Sequence, residues 1–118
     1  MKVRRLASLL AALLFASVTP VVAHSLLLES APAANAVVTG PGRVELRFNN
    51  RIERGLSRIR LVDERGTRRD LSIDGHGSPD RLSASFAALA PGPYRVEWQV
   101  LSTDGHIVSG RFSFRVAR

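Results

Sequence analysis

The sequence predicts an all-β fold, an immunoglobulin-like Greek-key β-sandwich or barrel of about seven strands. Three features of the chain point to this fold. Apolar and polar residues alternate over short segments, turn residues separate these segments at regular intervals, and no stretch has a helical period long enough to form a helix. The 118 residues are enough for one small domain.

The first half of the domain predicts three strands. Segment 25–30 is rich in leucine and stops before Pro32, because proline has no N–H to donate to a sheet. Segment 44–48 alternates apolar and polar residues and ends at Asn49-Asn50, residues that are typical of turns. After an irregular crossing, segment 58–62 alternates in the same way.

The second half predicts four more strands. Asp63-Glu64-Arg65-Gly66 has the composition of a hairpin turn, which makes 67–73 the return strand. Strands at 81–86, 94–101 and 107–116 follow, each with apolar residues at alternate positions. The alternation predicts a core built from the inward faces: Val44, Leu46, Phe48, Ile59, Leu61, Leu82, Ala84, Phe86, Tyr94, Val96, Trp98, Val100, Val108, Phe112, Phe114 and Val116.

Residues 1–23 have the three parts of a secretory signal peptide: a basic start, an apolar core at 6–18, and small residues before the cleavage position. The apolar core is shorter than the roughly 20 residues of a membrane span, although an uncleaved N-terminal anchor is the alternative. Cleavage after Ala23 would export a domain of residues 24–118 to the periplasm, with His24 as its first residue.

Composition restricts the chemistry of the exported domain. Its 14 arginines and 10 carboxylates give a net charge of +4 and are spread along the chain, which favours a solvated surface over a nucleic-acid groove. There is no cysteine, and the single methionine is Met1, so the domain has no sulfur ligand for a metal. We expect a monomer.

The strongest candidate site is the sequence Ser102-Thr103-Asp104-Gly105-His106, between the last two predicted strands. Asp104 and His106 can point to one side of the backbone, and the glycine between them relaxes the chain. Asp-Gly is also an ordinary hairpin turn, so the motif alone is weak. A similar Asp74-Gly75-His76 sequence has no evident third ligand, and we interpret it as a turn with an exposed histidine.

An N-terminal His24 changes that assessment, because its amine and imidazole can chelate one metal ion together. With the imidazole of His106 and an oxygen of Asp104 they form an N/O set that suits Cu(II). Zn(II) would accept the same atoms and is the main competitor, whereas Cu(I) prefers sulfur.

Several motifs in order then identify a resemblance. His24 directly after the leader, segment 91–98 (PGPYRVEW), segment 102–106 and segment 110–116 (GRFSFRV) are similar to those of bacterial periplasmic copper-resistance proteins of the CopC type, over essentially the whole mature chain. The resemblance implies a small Greek-key barrel or sandwich and Cu(II) ligands at His24, Asp104 and His106. It also implies a carrier that passes the copper ion to a CopD-like inner-membrane transporter.

The chain departs from the family pattern at two points. Many members carry an acidic residue shortly after the strand that matches 44–48, where this chain has Asn49-Asn50. Some members have a Met-rich Cu(I) site, which this chain cannot build, so we expect a single Cu(II) site.

The leading interpretation is therefore a copper-binding protein and not an enzyme, and two alternatives stay open. An N-terminal His chelate with a second His also resembles the copper centre of polysaccharide monooxygenases, although Trp98 lies in phase with core valines and predicts packing, not substrate stacking. The second alternative is a metal-free secreted module that contacts a partner through a strand edge. The residues themselves leave open whether Asp104 binds the metal or orients an imidazole.

Overall fold

A computed structural model describes residues 26–40 and 42–118, which form two β-sheets packed face to face. The strands in chain order are β1 (Leu27–Ala31), β2 (Val37–Val38), β3 (Gly42–Phe48), β4 (Arg58–Val62), β5 (Arg68–Leu71), β6 (Arg81–Phe86), β7 (Gly92–Leu101) and β8 (Ile107–Val116). Within these residues, the helical structure is one short 3-10 turn at Arg54–Leu56, and no helix could cross a membrane. The predicted immunoglobulin-like β-sandwich is confirmed.

The two sheets differ in size. The smaller has the order β1-β3-β6 and is antiparallel, and the larger has the order β2-β8-β7-β4-β5. In the larger sheet only the short β2 runs parallel to its neighbour, β8. The ten-residue strands β7 and β8 pair along their whole length, from Gly92 opposite Val116 to Leu101 opposite Ile107. This long hairpin places the 102–106 loop at one end of the sandwich.

The predicted core is confirmed in its main part. The alternate residues of β3, β4, β6 and β7 are buried between the sheets, with Val44, Ile59 and Val96 fully inaccessible. Trp98 is 7% exposed and meets Phe48 edge to face, with ring centroids 5.2 Å apart, so it packs as predicted. Tyr94 is only half-buried, and its hydroxyl donates to the carbonyl of Ala90 at 2.7 Å.

The structure corrects several predicted boundaries. The first strand begins at Leu27 and ends at Ala31, and β5 is shorter than the predicted 67–73. Thr67 belongs to the turn instead, because the Asp63 carboxylate accepts its N–H at 2.9 Å, as it does that of Arg65. The described residues form eight strands because the two residues of β2, too few to show alternation, pair with the end of β8.

Gly110 is a packing constraint in the core, since a Cβ added there would lie 2.3 Å from the indole ring of Trp98. We expect Gly110→Ala to destabilise the fold by about 2 kcal/mol through overpacking, seen as a fall of about 10 °C in the melting temperature. Gly55→Ala is the matched control, because no atom lies within 4 Å of its added Cβ. Equal melting temperatures for the two variants would contradict this account of the core.

Candidate metal centre

The loop that joins β7 to β8 carries the predicted site. It closes through two backbone hydrogen bonds of 2.9 Å, from the Ser102 N–H to the His106 carbonyl and from the Gly105 N–H to the Ser102 carbonyl. Gly105 has a φ of +90°, a conformation that favours glycine. The hairpin turn that the sequence offered as one interpretation of Asp104-Gly105 is thus present.

The structure brings Asp104 and His106 together. The Asp104 carboxylate accepts the backbone N–H of His106 through Oδ1 at 3.0 Å, and Oδ2 lies 3.2 Å from Nδ1 of the same residue. These contacts, the backbone N–H first and the imidazole second, lower the pKa of Asp104 and keep it ionised at neutral pH. The imidazole is about half exposed, so it lies at the surface of the domain, where its Nδ1 contacts the Asp104 carboxylate.

Neighbouring segments hold this loop rigidly. Ser102 is buried and pairs with Ile52 in an isolated β-bridge. The Thr103 N–H donates to the Arg51 carbonyl at 3.3 Å, and the Glu53 N–H donates to the Leu101 carbonyl at 2.8 Å. Segment 49–53, which we call the crossing segment, therefore forms one wall of the site.

The start of β1 is attached to the same crossing segment. The Leu26 N–H donates to Oδ1 of Asn49 at 2.7 Å, and the Asn49 N–H donates back to the Leu26 carbonyl at 3.1 Å. His24, the third predicted ligand, lies outside the described residues. Leu26, two positions after His24 in the sequence, is thus hydrogen-bonded to the segment that also supports the 102–106 loop.

The second Asp-Gly-His sequence lies in a loop between β5 and β6. The carboxylate of Asp74 is engaged by the guanidinium of Arg43, and His76 is exposed. Arg54 holds this loop by donating to several of its carbonyl oxygens, the shortest contact being 3.1 Å to Ser78. The crossing segment reaches this loop as well, because the Ile52 N–H donates to the Pro79 carbonyl.

The described residues supply two metal-capable side chains at one point, a carboxylate and an imidazole. No group of three or more His, Cys, Asp or Glu side chains that could hold a metal ion occurs within residues 26–40 and 42–118. Nitrogen and oxygen donors without sulfur fit Cu(II) or Zn(II).

Asn49 is a residue whose role the sequence did not indicate. Its position after a strand is typical of an asparagine that bonds to nearby backbone. The partner it bonds, Leu26, is 23 positions away. Only the pairing of β1 with β3 brings the two together, so no local pattern could have identified the contact.

Comparison with known proteins places this site in context. Residues 27–117 match the family model described as the CopC domain. The chain is 36% identical to Protein YobA of Escherichia coli over an alignment that covers 96% of this chain and 95% of that protein. It is 28% identical to Copper resistance protein C of Pseudomonas syringae pv. tomato, over 80% of this chain and 81% of that protein. The crystal structure of CopC from Methylosinus trichosporium OB3b superposes with a TM-score of 0.71 at 35% identity, covering 79% of this chain and 93% of that one.

Removing the Asn49 side chain should release the start of β1. We expect Asn49→Ala to speed amide hydrogen exchange at Leu26 by about fivefold, because the N–H loses a hydrogen bond worth about 1 kcal/mol. Asn50→Ala is the control, since the Asn50 side chain makes no hydrogen bond within the described residues. Unchanged exchange at Leu26 in Asn49→Ala would show that the contact does not hold the strand.

Proposed function

This chain belongs to the CopC domain family, and we propose that the exported protein binds one Cu(II) ion at a site formed by His24, Asp104 and His106, with the two histidines as ligands and the Asp104 carboxylate beside them. The observation that carries the proposal is the attachment of Leu26 to the crossing segment, which also supports the loop of Asp104 and His106. The names of related proteins, which include copper resistance protein C, agree with copper as the ion carried.

Chain geometry supports the participation of His24. Two residues of extended chain span at most about 7 Å, so a residue two positions before Leu26 stays close to Asn49. The carbonyl of Arg51, two residues further along, accepts the N–H of Thr103 in the site loop. This supports the proposal that a mature N-terminus at His24 reaches the end of the sandwich where His106 lies.

Each donor has a defined part in the proposed site. The amine and imidazole of His24 chelate the ion, and a metal displaces the proton of an α-amino group that titrates near pH 8. Since Nδ1 of His106 lies 3.2 Å from the Asp104 carboxylate, the ring is oriented to coordinate through Nε2. Asp104 thus acts by positioning the imidazole and by adding negative charge beside a cation.

Other features of the domain support a carrier in preference to a polysaccharide-cleaving enzyme. Trp98 is buried in the core, and the Tyr94 hydroxyl is bonded to Ala90 at the opposite end of β7 from the site. Neither ring is placed to stack on a flat substrate beside His106. We propose that the protein works in the periplasm after cleavage of residues 1–23, as a monomer, and passes copper to an inner-membrane transporter.

Replacing His106 tests the proposed site. His106→Ala should weaken Cu(II) affinity by at least about a hundredfold, or about 2.8 kcal/mol, because one nitrogen donor is lost. The measurement is a competition titration of the exported protein against a chelator of known affinity. Retained affinity in His106→Ala would contradict the proposal.

His76→Ala is the matched control for this titration. His76 is an exposed histidine in the loop between β5 and β6, so its removal should leave affinity and the one-to-one stoichiometry unchanged. Loss of affinity in the control, or a second tight equivalent in the unaltered protein, would contradict a single site at His106.

A further inference from the structure

The net charge of the domain lies on one face of the sandwich. The outward side chains of the larger sheet, which we call the cationic face, comprise six arginines and two carboxylates: Arg58, Arg60, Arg68, Arg95, Arg111, Arg115, Asp70 and Glu97. On the smaller sheet, three outward arginines contact or lie beside three carboxylates. The other charged side chains of segment 24–118 are five arginines and five carboxylates. The surplus of +4 therefore belongs to the cationic face alone.

Some arginines of the cationic face form ion pairs with its two carboxylates, and the others form none within the described residues. Arg60 contacts Asp70 at 2.8 Å, and Glu97 is shared by Arg68 at 3.3 Å and Arg95 at 3.4 Å. Among the described residues, Arg58, Arg111 and Arg115 form no ion pair. The arginines of this face that contact no carboxylate in the described part of the chain thus lie along β8 and at the start of β4.

The cationic face ends at the candidate metal centre. Leu101 and Ile107, a cross-strand pair at the end of the β7–β8 hairpin, are on this face because their neighbours Val100 and Val108 point into the core. Ile107 is 64% exposed and directly follows His106. Near this aliphatic pair, Arg58 lies on the neighbouring strand opposite Gln99, and Arg111 lies four positions from Ile107 along β8.

We propose that the cationic face docks an acidic protein surface, with Leu101 and Ile107 seated against apolar side chains of that partner. An apolar contact surrounded by complementary charge is typical of transient protein interfaces, in which the charges set encounter rate and orientation. The carboxylates of Asp70 and Glu97, fixed within the arginine rows, add a mixed pattern that selects one orientation of a partner. A phosphatidylglycerol headgroup carries no cationic group to pair with these carboxylates, which favours a protein partner over an anionic lipid surface.

The docking arises from charge and shape, and only its link to copper transfer rests on the proposed function. A partner on this face would lie next to His106 and would orient the metal centre toward an acceptor. The docking can therefore be tested with copper-free protein, so that failure of the copper site and failure of the docking face give separate results.

The test uses NMR titration of the exported protein, copper-free, with a glutamate-rich peptide that contains leucine. We expect shift changes confined to the outward residues of β4, β7 and β8, and affinity that falls as salt rises from low to physiological, where the screening length is about 8 Å. Arg58→Glu and Arg111→Glu should each weaken binding about fivefold or more at low salt, since each reverses a charge at the contact.

Arg81→Glu is the matched control, because Arg81 is an exposed outward arginine on β6 of the other sheet and its reversal changes net charge equally. Compared at physiological salt, where the screening length is about 8 Å, it should alter affinity by less than about twofold and by less than either reversal on the cationic face, since charges farther apart than a screening length interact weakly. Two-dimensional NMR spectra establish whether each variant is folded. If a charge-reversal variant on the cationic face does not fold, Arg58→Gln or Arg111→Gln is used in its place. Equal loss in Arg81→Glu, shifts on both faces, or binding only to phosphatidylglycerol vesicles would overturn the proposal.

Discussion

The crossing segment, residues 49–53, is the constraint on which the rest of the site depends. Its backbone and one side chain bond in turn to the start of β1, to the 102–106 loop and to the loop before β6. Ile52 is buried, which anchors the segment to the hydrophobic core. One anchored segment thus hydrogen-bonds to three chain segments that are far apart in sequence, and they meet at one end of the sandwich.

The fold was largely predictable because alternation and turn chemistry are local signals. The inward positions of β3, β4, β6 and β7 are correct, and β8 is correct to the residue. Errors arose at the ends of strands. The two residues of β2 form a strand only because β8 lies beside them, a tertiary contact that no local pattern shows. Thr67 stays in the turn because Asp63, four positions earlier, accepts its N–H, a local contact that the alternation pattern did not take into account.

The part of the site formed by residues close together in sequence was predictable. Asp104 and His106 are two residues apart, and the hairpin turn that joins them forces the carboxylate toward the imidazole. The contact between Asn49 and Leu26, and the concentration of charge on the cationic face, follow instead from strand pairing across the sheets. The role of His24 as a metal ligand stays a prediction, supported by the position of Leu26 and by the chelating chemistry of an N-terminal histidine.

The most direct test of the account is whether the amine of His24 binds the metal. Cu(II) would be titrated into protein that begins at His24, verified by intact mass, and into protein with one added glycine before it, with EPR spectra of both. The account predicts a tight one-to-one site with nitrogen-rich tetragonal coordination in the first protein, and a weaker, altered site in the second. Identical affinity and spectra would contradict it, because the terminal amine would then have no part in the site.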